Sequence, residues 1–162
     1  MQADGVIGNY AIGGAVGATF FLEPVATLDI DVFVSIQGGG ESPLLSLTPI
    51  YEYLLARGHK AEKEYIVIGR WPVQFLPPGN ALVEEALAQA LETDLEGLPT
   101  RVMTAEHLTA IALQTGRAKD FARILQFIES GTLDTDKLDG ILQRHGLIAK
   151  WEQFGDKFKS EL

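Results

Sequence analysis

The chain has 162 residues, 46% hydrophobic and 22% charged, proportions that exclude disordered and fibrous classes and suit one domain, or one domain with a small helical appendage. It contains no cysteine, which removes disulfides, thiolate zinc sites and cysteine nucleophiles and leaves any metal to oxygen or histidine ligands. A formal charge of −9 argues against a free-standing nucleic-acid binder, and the charge is uneven: residues 1–56 hold six acids and no Lys or Arg, whereas residues 57–162 hold 16 acids and 13 bases.

In chain order, Tyr10-Ala11-Ile12 reads as a short strand running through Gly13-Gly14 into an apolar helix over about Ala15 to Leu22. That run is too short to span a membrane, and no basic residue precedes Arg57, so it lacks the positive flank of a signal peptide; a cytoplasmic location is expected. Taken alone, Gly13-Gly14 reads first as a tight turn with close packing and second as a backbone cradle for phosphate. Pro24 stops the helix, and a strand follows at once over Thr27 to Val34. Its alternation puts Leu28, Ile30, Val32 and Val34 on one face and Asp29 and Asp31 together on the other. Two adjacent carboxylates on an apolar strand are costly unless compensated, and a divalent cation such as Mg²⁺, which prefers hard oxygen ligands, is the simplest compensation.

Gln37 to Pro43 reads as a connector, with a mobile lid as the alternative, and Leu44 to Arg57 carries helical periodicity ending at Gly58. Glu64 to Ile68 and Trp71 to Leu76 flank Gly69-Arg70 as a hairpin. Asn80 caps a helix to about Ala90, with Glu84 and Glu85 in a solvated first turn, and Arg101 to Met103 forms a last short strand. Thr104 then caps the first of four helices, over about Ala105 to Thr115, Ala118 to Glu129, Thr135 to His145 and Ala149 to Phe158. The expected organisation is an α/β front, residues 1–103, and a helical back, residues 104–162, packed as one unit. The three histidines, at 59, 107 and 145, read as surface or core residues, and Trp71 and Trp151 as core.

The pattern Ala11-Ile12-Gly13-Gly14, helix, Asp29-Ile30-Asp31 resembles the nucleotidyltransferase fold of the DNA polymerase β superfamily, nearest its small bacterial members related to AbiEii-type toxins. The resemblance implies a small mixed sheet with flanking helices, followed by a C-terminal helical segment. It implies that Gly13 and Gly14 hold nucleotide phosphates and that Asp29 and Asp31 bind Mg²⁺ or Mn²⁺, two ions if catalytic. Gly116 to Arg123 resembles the family's Lys-Asp helix, which assigns Lys119, and Arg123 one turn on, to the triphosphate; the plainer reading is an exposed Asp120–Arg123 pair.

Two departures bear on these expectations. The family's third carboxylate falls where this chain has Gln74, which can accept a hydrogen bond but cannot act as a general base. A helix commonly precedes the first strand in the family, and only nine residues precede Tyr10 here, pointing to truncation or to a partner that covers that face.

The sequence therefore supports a metal-dependent nucleotidyltransferase moving a nucleoside monophosphate from a triphosphate to a protein, an RNA end or a small molecule, with acidity making RNA the weaker acceptor. The alternatives are a catalytically weakened nucleotide-binding or partner-binding relative, motivated by Gln74, and an interaction protein with no ligand. The family link adds a toxin–antitoxin role with a cognate partner or a homo-oligomer. Gly-x-Ser-x-Gly, Walker A and Gly-x-Gly-x-x-Gly motifs are all absent.

Overall fold

The computed structural model describes residues 1–24, 26–36 and 46–158; the connector or lid segment Gln37 to Pro43 and the expected helix start at Leu44 lie outside the described residues. The elements are β1 (Tyr10–Ile12), α1 (Gly14–Ala18), β2 (Ile30–Val34), α2 (Thr48–Leu55), β3 (Lys60–Glu62), β4 (Tyr65–Ile68), β5 (Trp71–Leu76), α3 (Ala81–Ala88), β6 (Leu91–Leu95), β7 (Leu98–Val102), α4 (Ala105–Thr115), α5 (Ala118–Ser130), α6 (Thr135–Arg144) and α7 (Ile148–Phe158). One mixed sheet runs in the order β3-β4-β5-β2-β1-β7-β6, with parallel pairs at β2/β5 and β1/β7 and antiparallel pairs elsewhere.

The alternation of β2 decides how the sheet is covered. Ile30, Val32 and Val34 face a core shared with Ile50 and Leu54 of α2 and with Ile66, Val73 and Phe75 of the β4/β5 hairpin. Phe33 faces the opposite side, against a second core built from Ala11, Ala18, Val83, Leu87, Met103, Leu108 and Phe127. A third core joins the helices through Leu113, Ile124, Leu142 and Phe154. Helix α4 belongs to both of the last two, with Leu108 in one and Leu113 in the other. The α/β sheet with flanking helices and a helical C-terminal segment is thus the architecture expected from the sequence.

Several local expectations are corrected. Leu28 is 88% exposed and precedes the strand, which starts only at Ile30, so it does not share the apolar face of β2. Helix α2 begins at Thr48, after a non-helical Ser46-Leu47, because Pro49 is tolerated only in a first turn. Trp71 is 45% exposed rather than a core residue. The edge strand β3 and the β6/β7 hairpin were not expected. Glu96 (φ +53°) and Gly97 (φ +84°) form its two-residue turn, which needs positive φ at both positions. Pro99 argues against a sheet interior, yet β1 pairs with β7 only at Val102, so no ladder partner is lost at Pro99.

Candidate active site

A cavity of about 520 Å³ opens between the sheet face carrying Asp31 and the start of α5. Its lining includes Gly14, Asp29, Asp31, Gln74, Lys119 and Arg123, so every side chain singled out from the sequence meets there; of the named glycines, Gly13 lies behind the wall. Asp31 and Gln74 are direct partners in the parallel β2/β5 ladder, which puts both side chains on one face, opposite buried Val73 and Phe75.

Gly14 lets the acid face close. A Cβ there would collide with the Asp31 carboxylate, and its φ of +58° is a left-handed conformation that suits glycine. Gly13 meets a different demand: an added Cβ would sit 2.5 Å from the Phe33 ring, while its N–H donates to the Asp31 carbonyl at 2.9 Å. The glycine turn is thus packed directly under the second acid.

Asp29 precedes the ladder. Its Oδ1 accepts from the Thr27 hydroxyl and its Oδ2 from the Tyr65 hydroxyl, each at 3.3 Å. No hydrogen bond to the Asp31 carboxylate is recorded among the described residues; burial, then the Asp29 charge, raises its proton affinity above the ordinary range, against the pull of Lys119, Arg123 and Arg117.

The other wall is cationic. Arg117 closes on Asp120 through Nε to Oδ2 at 2.7 Å and a second nitrogen to Oδ1 at 3.1 Å, while the same carboxylate accepts the Arg117 backbone N–H at 3.2 Å, the acidic half of a capping box. Asp120 is buried, and its partner is Arg117 rather than the Arg123 of the plainer sequence reading. Lys119 and Arg123 form no ion pair among the described residues. Arg117, which the sequence placed only within the Gly116 to Arg123 stretch, and Tyr65, not singled out at all, are the additions to the site; a basic residue just ahead of a helix whose third position is Asp was the available signal for the first.

The donor set can be tested against a cation. Of the three carboxylates that line the cavity Asp120 is closed on Arg117, which leaves Asp29 and Asp31, the latter half-buried without a hydrogen-bond donor; no cluster of three or more His, Cys, Asp or Glu side chains suited to a metal occurs among the described residues. Two hard anionic donors fit one Mg²⁺ or Mn²⁺ that keeps its remaining positions for water and phosphate. A fully protein-held pair of ions would need a further acid where Gln74 stands.

Away from the cavity, Glu85 corrects the expectation of a solvated helical turn. Its carboxylate accepts from Arg144 at 2.5 Å and lies 2.8 Å from His145 Nε2 and 3.4 Å from His107 Nε2. The Arg144 guanidinium, ahead of the two histidines, holds its pKa at about 2 against the opposing effect of burial. Thr104 Oγ1 is 2.9 Å from His107 Nδ1, so one tautomer satisfies the whole chain from Thr104 to Glu85, with Nε2 carrying the proton. Burial holds His107 below the usual histidine range despite the nearby carboxylate.

No protein-family model and no curated protein matches the sequence. Among solved structures, the crystal structure of an antigenic nucleotidyltransferase-like protein from Paracoccidioides brasiliensis superposes with a TM-score of 0.60 over 94% of this chain and 83% of that one, at 12% sequence identity. At that identity the likeness concerns the fold alone: the chain has a nucleotidyltransferase-like fold.

Proposed function

We propose that this protein is a metal-dependent nucleotidyltransferase that moves a nucleoside monophosphate from a nucleoside triphosphate to an acceptor hydroxyl. The observation that carries this reading is the two-sided cavity, with Asp29 and Asp31 on the sheet wall and Arg117, Lys119 and Arg123 on the α5 wall. A triphosphate needs cations along its β and γ groups, and a reacting phosphorus needs its charge neutralised where bonds change. Mg²⁺ held by Asp29 and Asp31 would supply that neutralisation. Lys119 and Arg123, free of acidic partners among the described residues, bind the terminal phosphates, and Arg117 is held ready beside them by Asp120. The backbone of Gly14, which lines the cavity, approaches the nucleotide, and Gly13 behind it ties the turn to β2. The acceptor oxygen attacks the α-phosphorus as the bond to pyrophosphate breaks, pyrophosphate leaves toward the cations, and Gln74 orients the attacking hydroxyl, whose proton passes to solvent water in the open cavity.

The second reading, a relative that binds nucleotide but turns over slowly, is favoured by one observation: Gln74 lies directly beside Asp31 in the ladder, where a third acid would complete the donor set. Kinship with the small AbiEii-related proteins, a toxin–antitoxin role and a cognate partner or second copy rest on the sequence resemblance, and a cytoplasmic location on the sequence's lack of cysteine and of a positive flank before its first apolar run. The acceptor is a protein, an RNA end or a small molecule. Incubation with each α-labelled nucleoside triphosphate and Mg²⁺ or Mn²⁺ separates the readings: label transfer or pyrophosphate release supports the enzyme, saturable binding without either supports the weakened relative, and neither binding nor turnover overturns both.

A further inference from the structure

Asp29 poses a problem of geometry that its neighbour does not. The ladder begins at Ile30, and Asp31 is fixed between Gln74 on one side and the glycine turn on the other, whereas no ladder pair reaches Asp29. A carboxylate outside the sheet keeps its rotamer freedom unless side chains remove it, and a ligand acid that swings costs affinity. Two hydroxyls remove it here. Thr27 Oγ1 shares its one proton between Oδ1, at 3.3 Å, and the Asp29 carbonyl, at 3.2 Å, and Tyr65 Oη donates to Oδ2, so each carboxylate oxygen meets a different hydroxyl.

Tyr65 is itself anchored. It opens β4 in register with Glu62, and the carbonyl of the preceding Glu64 accepts from the Tyr51 hydroxyl of α2 at 2.8 Å. Its ring lines the cavity beside Asp29, and its strand pairs with β5, which carries Gln74. One hairpin therefore sets both the Asp29 carboxylate and the residue that flanks Asp31.

We propose that Tyr65 is a positioning residue of the cation site: its hydroxyl, together with that of Thr27, holds Asp29 so that the remaining lone pairs of the carboxylate converge with those of Asp31 on one divalent cation. This inference rests on the nucleotidyltransferase reading above. Outer hydrogen bonds of this kind typically change metal affinity by about 10–100-fold when removed.

The test is titration of the full chain with Mn²⁺, followed by electron paramagnetic resonance of free and bound ion, for the wild type and for Tyr65→Phe, Thr27→Val and Tyr51→Phe. Tyr65→Phe keeps the ring and loses only the hydroxyl; it is expected to weaken Mn²⁺ binding by about 10-fold or more while the metal-free melting temperature is retained. Thr27→Val is expected to act in the same direction and reads the same carboxylate if Tyr65→Phe fails to fold. Tyr51→Phe removes only the anchor behind Tyr65, so it is expected to weaken the affinity by less than Tyr65→Phe does. Wild-type affinity in Tyr65→Phe beside a working wild-type site overturns this inference alone, as does an equal loss in Tyr51→Phe. No Mn²⁺ site in the wild type overturns both this and the cation reading. Nucleotide label on Tyr65 after incubation with α-labelled ATP makes it an acceptor and overturns the positioning role.

Discussion

Gly14 and Gln74 are the two residues at which the chemistry of the cavity can be adjusted by a single atom group. Gly14→Ala adds a methyl where the Asp31 carboxylate lies and does so at φ +58°, so it combines backbone strain of about 1 kcal/mol with displacement of a proposed ligand. The expected outcome is a modest fall in the urea midpoint and a much larger loss of Mn²⁺ affinity, read on the same sample. Gln74→Glu works in the opposite sense. It places a third anion beside Asp31, and the expected result is tighter Mn²⁺ binding with a rise in any transferase rate at saturating metal, within the roughly 10²- to 10⁴-fold range of general-base help. If the rate falls while folding and nucleotide affinity hold, Gln74 is not the counterpart of a lost acid. On the proposed function, Lys119→Ala should weaken triphosphate binding more than nucleoside binding, since its ammonium would meet phosphate and not the base; equal losses in the two titrations would make it an ordinary surface lysine.

At the scale of elements, the Glu85 cluster ties α3 to α4 and to the end of α6. A carboxylate with a folded pKa of about 2 and an ordinary value of 4.5 contributes stability that is complete above about pH 4.5 and is lost as the pH falls toward 2. His107 adds to the same limb: burial lowers its proton affinity, so acidification below its ordinary 6.5 favours the unfolded chain, which takes the proton more readily. Arg144 is half exposed, so screening by water reduces the contribution of Glu85 to about 1–2 kcal/mol. Glu85→Gln is therefore expected to lower the urea midpoint at pH 7 and to leave a flatter decline between pH 5 and about 3; an unchanged acid limb would show that other carboxylates dominate it.

The same scale explains what could be read in advance. The caps at Asn80 and Thr104 were legible because a side-chain oxygen ahead of an apolar period has one common use, and both accept the expected backbone N–H. Asp31 was legible because period two fixes which side chains share a strand face, whereas Gln74, Lys119 and Arg123 were singled out through the family resemblance and are found on the same cavity. Tyr65 was not, since its link to Asp29 spans 36 residues and depends on strand order. Glu85 was misread for the same reason, its partners Arg144 and His145 lying about 60 residues away. The β6/β7 hairpin was hidden by Pro99 and by the acids that alternate along an exposed edge.

For the whole molecule, the acids and the cations of the cavity sit in different layers, and α4 is what the layers share. Leu108 is packed with Ala11 and Met103 of the sheet side, while Leu113, less than two turns on, is packed with Ile124 and Leu142 of the helical side. We infer that neither core opens without stripping one face of this helix, which would make the boundary near residue 103 in the sequence no seam in the fold. In amide hydrogen exchange, the interior of α4 should then report only the global unfolding of the chain, at the same slow rate as β1 and the end of β2, while the edge strands β3 and β6 exchange through cheaper local opening. A cation or nucleotide bound in the cavity should slow the α4 amides by a factor of one plus the ratio of free ligand concentration to Kd. Protection of α4 that stays unchanged when ligand slows β2 would reveal two independently opening halves. Otherwise α4 serves as the timekeeper of the molecule, its slowest clock and the one that any ligand bridging the two walls must reset.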